Sequence, residues 1–376
     1  MKILSINASI DPVTGGGTAE RTVQMSRALS AKGHICSVLT LDLGITQSRR
    51  HELSQSKLIL LPCIWKRFYL PRPKFSVIST AIQNADIVHL MGHWTIINAV
   101  AYYYLRKHNK AYAVCPAGAL PTFGRSRLLK KIFNILIGAR IVKNANACIA
   151  IGKNEIDHYE AYGVSSSSIT HVPNGVTSLV RDQAASDIYT KLNLPRAPYI
   201  LYLGRLNPIK GTDLLIEAFD LIKNQFPRHQ LVIAGPDEGM KNSLTIRGQA
   251  LGISSRIHFV GHVMGADKSE LLIQAELMVI PSRQEAMSIV VLEAGLANIP
   301  IVITDQCGLN DLQDLNAAIV VEVSSVKIAQ GMIQALSNRE YALKIANNLN
   351  EYITANFLWE GIALRLETLF TKVLAS

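Results

Sequence analysis

Residues 199–213 read YILYLGRLNPIKGTD, and this stretch decides the fold. Its first half is a continuous apolar run, which is typical of a strand buried on both faces of a parallel sheet. A short loop follows, and Thr212 is a suitable N-cap for a helix. Strand, loop and helix in this order predict one repeat of an open α/β sheet. Ligands bind such sheets beyond the carboxyl ends of the strands, where Arg205 and Lys210 are expected.

The same alternation of apolar runs and helical periodicity extends along the chain in two series. The first predicted series of strands is 2–7, 37–42, 58–62, 87–91, 111–115, 147–151 and 169–173. The second is 199–204, 230–235, 256–261, 277–281, 300–304 and 318–322. Strand-helix-strand repetition implies right-handed crossovers and doubly wound sheets. The predicted fold class is therefore α/β, with two Rossmann-like domains facing each other across a cleft.

Length and composition support two domains, because 376 residues exceed the usual size of one. The break lies near residues 177–198, a polar stretch that ends in two prolines and has no strand character. We predict an N-terminal Rossmann-like domain at 1–178 and a C-terminal Rossmann-like domain at 179–356. The apolar helical stretch 357–376 is expected to pack back on the N-terminal domain.

The net charge of +10 favours anionic partners. Nucleic acid is not expected, because the chain has no RNA-recognition signature and no Cys/His finger. Its five cysteines form no CxxC pair, which argues against a zinc site or a disulfide framework and favours a reducing compartment. Neither a signal peptide nor a run of about 18 apolar residues is apparent, so a cytoplasmic location is expected.

One stretch, residues 125–143, mixes cations with leucine, isoleucine and phenylalanine. As a helix it is both basic and strongly apolar, the composition of a helix that lies on a membrane surface. Such a helix would give peripheral contact at the inner face of a membrane. An ordinary domain helix packed through its apolar side is the alternative.

A second motif follows the predicted strand 277–281 and reads EAMSIVVLE from Glu285 to Glu293. Glu285 is expected in the loop, and a helix is expected to begin near Met287 or Ser288. Backbone N–H groups at that point are able to cradle a phosphate. Glu293 has apolar neighbours on all sides and therefore needs a partner, either a core cation or the hydroxyls of a ribose.

A glycine-rich joint at residues 11–17 lies between the first strand and the first helix. It matches neither dinucleotide-binding nor P-loop spacing. Gly16 and Gly17 permit close approach of a phosphate or sugar, although a flexible turn explains them equally well. The Asp-x-Asp pattern that would hold a metal for a sugar nucleotide is absent. Since Arg205 and Lys210 are able to neutralise a diphosphate, we expect no metal site and no cofactor.

Taken together, these residues resemble the retaining glycosyltransferases of the GT-B fold, family four, also called glycosyl transferases group 1. The resemblance covers essentially the whole chain. It rests on the N-terminal glycine loop, VPNGV at 172–176, GR and KG at 204–211, GP at 235–236, FVG at 259–261 and the Glu-x7-Glu element at 285–293. The last element, with Arg205 and Lys210 upstream, is the specific part.

The resemblance implies a role for each matched residue. Arg205 and Lys210 would bind the donor diphosphate and Glu285 would contact the transferred sugar, so these three are the candidate catalytic residues. Glu293 would hold the ribose, and the main chain of 259–263 would hold the base. The candidate donor-binding residues are Gly16, Gly17, Gly235, Pro236, Val260, Val263, Ala286, Met287, Ser288, Ile289 and Glu293.

The chain departs from the family pattern at residues 115–120, which read CPAGAL. Ala117 stands where many members carry a histidine that contacts the donor sugar. His93 lies past a predicted strand and is a better candidate than His89 to supply an imidazole. We therefore take His93 and Asn174 as candidate sugar or acceptor contacts.

The implied activity is retaining transfer of a hexose, with glucose and a UDP-linked donor favoured, to a saccharide or lipid-linked saccharide. In the metal-independent front-face mechanism, the leaving phosphate oxygen takes the acceptor proton while Arg205 and Lys210 stabilise the developing charge. Two alternatives stay open. One is a non-catalytic nucleotide-sugar-binding protein, suggested by Ala117, and the other is a GT-B small-glycoside synthase or epimerase.

Overall fold

The computed structural model describes residues 1–66, 69–122, 126–178, 187–309 and 311–375. The chain divides into two compact units, Met1–Gly175 with Trp359–Ser376, and Val176–Leu358. The predicted boundaries at 178 and 356 fall a few residues from these crossings. The two places where the chain passes between the units lie side by side. There, the backbone N–H of Val176 donates to Phe357 O at 2.8 Å, and Val176 forms a parallel β-bridge with Leu358.

The first unit is built on a parallel sheet with strand order β3-β2-β1-β6-β7-β8-β9 in the described residues. Its strands are β1 (Lys2–Ile6), β2 (Ile35–Leu41), β3 (Lys57–Leu61), β6 (Ile87–Met91), β7 (Tyr112–Cys115), β8 (Ala147–Ala150) and β9 (Ile169–His171), with β4 (Cys63–Trp65) and β5 (Leu70–Pro71) forming a separate antiparallel pair. Its helices are α1 (Gly16–Ala31), α2 (Gln47–Glu52), α3 (Phe75–Gln83), α4 (Ile96–Lys107), α5 (Arg127–Phe133), α6 (Ala139–Lys143) and α7 (Glu155–Ala161). A π-helical turn, Asn134–Gly138, joins α5 to α6.

The second unit is built on a parallel sheet with order β12-β11-β10-β13-β14-β15. Its strands are β10 (Tyr199–Leu203), β11 (Gln230–Ala234), β12 (Ile257–Gly261), β13 (Leu277–Ile280), β14 (Ile301–Thr304) and β15 (Ile319–Val321). Its helices are α8 (Ile188–Lys191), α9 (Thr212–Ile222), α10 (Lys241–Ala250), α11 (Gly265–Ile273), α12 (Ile289–Ala297), α13 (Asp311–Asp314), α14 (Ser325–Ser337) and α15 (Arg339–Asn356). The final helix, α16 (Trp359–Ala375), belongs to the first unit and packs against α1.

Each unit has its own core between sheet and helices. In the second unit, for example, Ile200 and Ile233 of the sheet pack in one buried cluster with Leu215 and Phe219 of α9. Strands buried on both faces produce the continuous apolar runs seen in the sequence. The α/β fold class with two doubly wound parallel sheets is confirmed.

Two local features differ from the sequence predictions. The β4–β5 pair was not predicted, because it is short and its side chains Ile64 and Trp65 are exposed, so no apolar pattern marks it. The basic stretch 125–143 is helical from Arg127, but a π-helical turn interrupts it, and Arg125 lies outside the described residues. Among the described residues no helix is both long and apolar enough to cross a bilayer.

Candidate active site

The site in the second unit forms where the strand order of its sheet reverses. β10 pairs with β11 on one side and with β13 on the other, so the chain turns in opposite directions after these neighbouring strands. Such a switch point opens a crevice at the carboxyl edge of the sheet. Arg205 follows β10 and Glu285 follows β13, so the fold brings the two sequence motifs to the same edge.

Lys210 and Glu285 meet directly. The Lys210 Nζ lies 2.8 Å from Glu285 Oε1, and their side chains are 21% and 11% exposed. Ser282 Oγ donates a second hydrogen bond to Glu285 Oε1 at 2.8 Å. Lys210 ends a 3₁₀ turn, Pro208–Lys210, whose start is capped by the Asn207 side chain accepting from Lys210 N. The ammonium group is thus held in a fixed, half-buried position.

Arg205 is paired with a carboxylate that the sequence analysis did not single out. Its Nη1 donates to Glu238 Oε1 at 2.8 Å, and Asn207 Nδ2 donates to the other carboxylate oxygen at 2.7 Å. Backbone hydrogen bonds tie the two loops together, from Leu206 N to Pro236 O and from Glu238 N to Leu206 O. Glu238 lies shortly after the end of β11. This position after a strand is the sequence feature that could have marked Glu238 as a candidate site residue.

Arg283 fastens the loop that carries Lys210, and the sequence analysis also missed it. Its guanidinium donates to both carboxylate oxygens of Asp213 at 2.8 and 2.7 Å and to Pro208 O at 2.7 Å. Its backbone N–H donates to Ile209 O at 2.7 Å. Bidentate arginine–carboxylate pairs fix geometry as well as charge. The loop after β13 therefore sets the position of the turn after β10.

The start of α12 carries an unpaired polar group. The helix begins at Ile289, slightly later than predicted, because Ser288 has an extended backbone and acts as its N-cap residue. The Ser288 side chain is buried, yet its Oγ has no hydrogen-bond partner. Buried hydroxyls are normally paired, so an unpaired one at a helix N-terminus is a candidate donor to an anionic ligand.

The remaining residues of this motif are held by backbone contacts. Glu285 N donates to Gln306 O, and Ser288 N donates to Cys307 O. Met287 is buried and Ala286 half-buried, and a Cβ on Gly308 would lie 2.1 Å from Ala286 O. The backbone of 285–289 is therefore pressed against the neighbouring loop.

Glu293 has a protein partner. Lys268 Nζ of α11 lies 2.8 Å from Glu293 Oε1, and the two side chains are 32% and 14% exposed. Of the two partners expected from the sequence, a cation and the hydroxyls of a ribose, the cation is present. Lys268 and Glu293 are 25 residues apart in the sequence, so no local pattern predicts that they pair. The ribose contact stays a prediction.

Gly235 and Pro236 have structural roles at the edge of the sheet. Gly235 has φ of 147°, and a Cβ there would lie 1.8 Å from Gly204 O. Only glycine fits that approach. Val260 lies in β12, while Val263 follows it and is buried, so the predicted base-binding segment 259–263 is part strand and part loop.

In the first unit, Gly16 and Gly17 form the beginning of α1. Gly16 has φ of 61°, in the left-handed region, and Gly17 is exposed. The preceding turn is organised by Asp11, whose carboxylate accepts from Val13 N and from Thr14 Oγ1. The joint therefore has a hydrogen-bonded turn before it, and its contact with a phosphate or sugar stays a prediction.

His93 and Asn174 are both buried within the first unit. The His93 Nε2 lies 3.0 Å from Asn134 Oδ1, and burial lowers the pKa of its imidazole to about 4. Asn174 Oδ1 accepts from the buried Arg21 Nη1 at 3.1 Å. Burial, and then Arg21, lower the pKa of His89 to about 3. Both candidates thus have structural partners, and their contact with sugar stays a prediction.

The arrangement in the second unit suits an anionic ligand. Two cations, an orphan hydroxyl and a helix N-terminus share one sheet edge, and carboxylates lie beside the cations. A diphosphate is able to take the place of a carboxylate as the partner of each cation. In the described part of the chain, no three His, Cys, Asp or Glu side chains are grouped to hold a metal ion.

Comparison with known families assigns both halves of the chain. The model of glycosyl transferases group 1 matches residues 187–352, and the model of glycosyltransferase family 4 matches residues 15–178. The chain belongs to the group 1, family 4 glycosyltransferases.

Among solved structures, this glycosyltransferase is similar to Anabaena HepE in complex with UDP and glucose. The TM-score is 0.80 with 17% sequence identity, covering 99% of this chain and 100% of HepE. A structural match at this low sequence identity shows a shared fold and nothing more specific. The predicted GT-B fold is confirmed.

Two curated relatives match shorter segments of the glycosyltransferase. An uncharacterized glycosyltransferase of Methanocaldococcus jannaschii is 33% identical over 168 residues, covering 44% of this chain and 42% of the relative. A GDP-mannose-dependent alpha-(1-6)-phosphatidylinositol monomannoside mannosyltransferase of Mycobacterium tuberculosis is 27% identical over 214 residues, covering 53% and 55%. The chain thus spans about half the length of these relatives.

Proposed function

We propose that this protein is a retaining hexosyltransferase that moves glucose from a UDP-linked donor to a saccharide or lipid-linked saccharide without a metal ion. One observation carries the proposal. The Lys210–Glu285 pair lies at the switch point of the sheet of the second unit, and the unpaired Ser288 hydroxyl follows Glu285 closely in the sequence, at the start of α12. Group 1 glycosyltransferase membership supplies the reaction class.

The proposed chemistry assigns roles to three side chains. Arg205 and Lys210 bind the diphosphate and stabilise the negative charge that grows as the glycosidic bond to phosphate breaks. Glu285, held by Ser282 and Lys210, contacts the hexose. The leaving phosphate oxygen accepts the proton of the acceptor hydroxyl on the same face of the sugar. The new bond therefore keeps the anomeric configuration.

The choice of donor rests on comparison. HepE was solved with UDP and glucose, which supports UDP-glucose here. The mycobacterial relative depends on GDP-mannose and acts on a lipid-linked mannoside, which supports a lipid-linked acceptor but favours another base. We retain UDP-glucose because HepE covers the whole chain.

A thermal-shift panel of UDP-glucose, GDP-mannose and ADP-glucose tests the donor. A ligand at 100 times its Kd should add about 2.7 kcal/mol to the free energy of unfolding. We expect UDP-glucose to give the largest shift. A larger shift with GDP-mannose would contradict the choice of base while leaving the transferase proposal standing.

Turnover tests the reaction itself. Purified protein incubated with UDP-glucose should release UDP slowly, by hydrolysis or transfer, and NMR of the product should show the α-anomer first. The rate should be unchanged in excess EDTA. Strict dependence on added Mg²⁺ or Mn²⁺ would contradict the metal-free mechanism.

A non-catalytic nucleotide-sugar-binding protein is the second candidate, and Ala117 favours it. This residue replaces the family histidine and adopts φ of 51°, in the left-handed region. Donor binding without any UDP release in the turnover assay would support this alternative.

A further inference from the structure

An unusual concentration of exposed apolar side chains lies in residues 127–143. Among the described residues, 21 large apolar side chains are exposed, and five of them fall within 128–136. They are Leu128, Leu129, Ile132, Ile135 and Leu136. Leu128, Ile135 and Leu136 are 70%, 77% and 65% exposed. Single exposed apolar residues are ordinary, but a contiguous set indicates an interaction site.

These side chains share one helical face. Their spacing of three and four residues places Leu128, Ile132 and Leu136 next to one another on the surface of α5 and the π-helical turn. The opposite side is already used, since Phe133, Ile137, Ile141 and Val142 pack on the core of the first unit. The segment is therefore apolar on two sides, and only one side is needed for folding.

Contacts below the π-helical turn fix the segment on the unit. Asn134 bonds to both His93 and Tyr162, and its amide donates to the Tyr162 hydroxyl. Lys130 Nζ lies 5.5 Å from the centre of the Trp94 ring. A helix anchored in this way presents a preformed outer face.

The charge on the segment has one sign. Residues 127–143 contain five cations, Arg127, Lys130, Lys131, Arg140 and Lys143, and no acidic residue. Of these, Arg127, Lys131, Arg140 and Lys143 are exposed. Apolar side chains flanked by lysine and arginine match the interface between acyl chains and anionic headgroups.

We propose that residues 127–143 dock the protein on the surface of an anionic phospholipid bilayer, with Leu128, Ile135 and Leu136 entering the acyl boundary. A second copy of this chain is a poorer occupant, because a symmetric contact would place the same cations against one another. The proposal is independent of the sugar-transfer proposal, since it uses no donor-site residue.

Flotation of the full chain with vesicles tests the proposal. We expect binding to vesicles of phosphatidylcholine mixed with phosphatidylglycerol, and much weaker binding to phosphatidylcholine alone. The Leu128→Ser, Ile135→Ser, Leu136→Ser triple variant should lose binding. The control is Leu221→Ser, Ile246→Ser, Leu343→Ser, three exposed apolar residues of the second unit, and it should bind as wild type.

A charge variant provides a second measurement that leaves the apolar face intact. Lys131→Gln with Arg140→Gln should lower partitioning about fivefold for each cation removed, the scale for one basic residue at an anionic surface. The matched control, Lys327→Gln with Lys344→Gln, should leave partitioning unchanged. Circular dichroism melting shows whether each variant is folded.

Three results would overturn the proposal. They are absence of wild-type binding to anionic vesicles, undiminished binding of the folded triple variant, and concentration-dependent dimerisation that the triple variant abolishes. The last result would assign the face to a second copy. Each readout is made without nucleotide sugar, so its failure is separate from failure of the proposed transferase activity.

Discussion

At the residue scale, each of the two cations at the sheet edge is paired with a carboxylate, and the Lys210 pair is more buried than the Arg205 pair. The sequence placed Arg205 and Lys210 after β10, but their partners Glu238 and Glu285 come from other loops. Pairing of each cation with a carboxylate was therefore not visible in the motif. Long-range pairs of this kind depend on strand order, which the spacing of one motif does not encode.

We predict that Lys210→Ala lowers kcat by about 10²–10³-fold, the scale for removing one donor to a developing oxyanion. Arg205→Ala is expected to have an effect of the same order. The measurement is initial UDP release at saturating donor, and Lys327→Ala on α14 serves as the exposed-lysine control. Near-wild-type kcat in both site variants would refute the leaving-group assignment.

Buried histidines predict the pH dependence of stability. Burial lowers the pKa of His93 to about 4, whereas an unfolded histidine titrates near about 6.5. Between these values the unfolded chain binds a proton that the folded chain rejects, so the free energy of unfolding falls as pH decreases. By pH 5 the loss from His93 is about 2 kcal/mol.

Urea unfolding at pH 7 and pH 5 measures this loss. His93→Gln, which keeps a hydrogen-bonding group beside Asn134, should show a smaller loss on acidification than wild type. His51→Gln at an exposed position should behave as wild type. An equal loss in the wild type and His93→Gln would be inconsistent with a neutral buried imidazole.

At the element scale, Arg283 links the loop after β13 to the turn after β10. We predict that Arg283→Gln lowers kcat about tenfold with a smaller change in KM, because the turn carrying Lys210 loses its anchors at Pro208 and Asp213. Its effect should be smaller than that of Lys210→Ala. Arg247→Gln, which breaks an exposed pair with Glu217, is the control. Unchanged kcat in Arg283→Gln would remove this positioning role.

The joint between turn and helix gives a stability prediction. Gly211 has φ of 70°, and a Cβ there would lie 2.0 Å from Pro281 O. Gly252 has φ of 69° with no heavy atom within 4 Å of a Cβ. Gly252→Ala should cost about 1 kcal/mol for backbone strain, and Gly211→Ala about 1–3 kcal/mol more for the clash. If urea unfolding gives the same loss of unfolding free energy for both variants, the loop around Pro281 moves to accommodate the added methyl group.

Strands with continuous apolar runs were predictable from the sequence, whereas two short elements were not. Every predicted strand is present, with ends displaced by about two residues or fewer, because burial on both faces leaves an unbroken apolar pattern. The β4–β5 pair has no such pattern. The π-helical turn also has no local sequence signal, and the hydrogen bonds of its Asn134 go to His93 and Tyr162, which are distant in the sequence.

At the scale of the whole molecule, the chain leaves one unit at Gly175 and returns at Trp359. A Cβ on Gly175 would lie 2.5 Å from the Trp359 ring, so the two crossings pack closely inside the first unit. The sequence indicated this arrangement through a polar break and an apolar C-terminal helix. The sequence did not show at which residue the chain passes from one unit to the other. That position is marked by the hydrogen bond from Val176 N to Phe357 O, a tertiary contact with no local sequence pattern.

Hydrogen–deuterium exchange with and without the nucleotide sugar that gives the largest thermal shift tests the donor site most directly. Bound donor should protect peptides covering residues 204–211 and 285–293, since its diphosphate would contact the Lys210 turn and the start of α12. Peptides of α14 and α15 should exchange unchanged. Protection elsewhere, with none at these two loops under saturating ligand, would contradict the account.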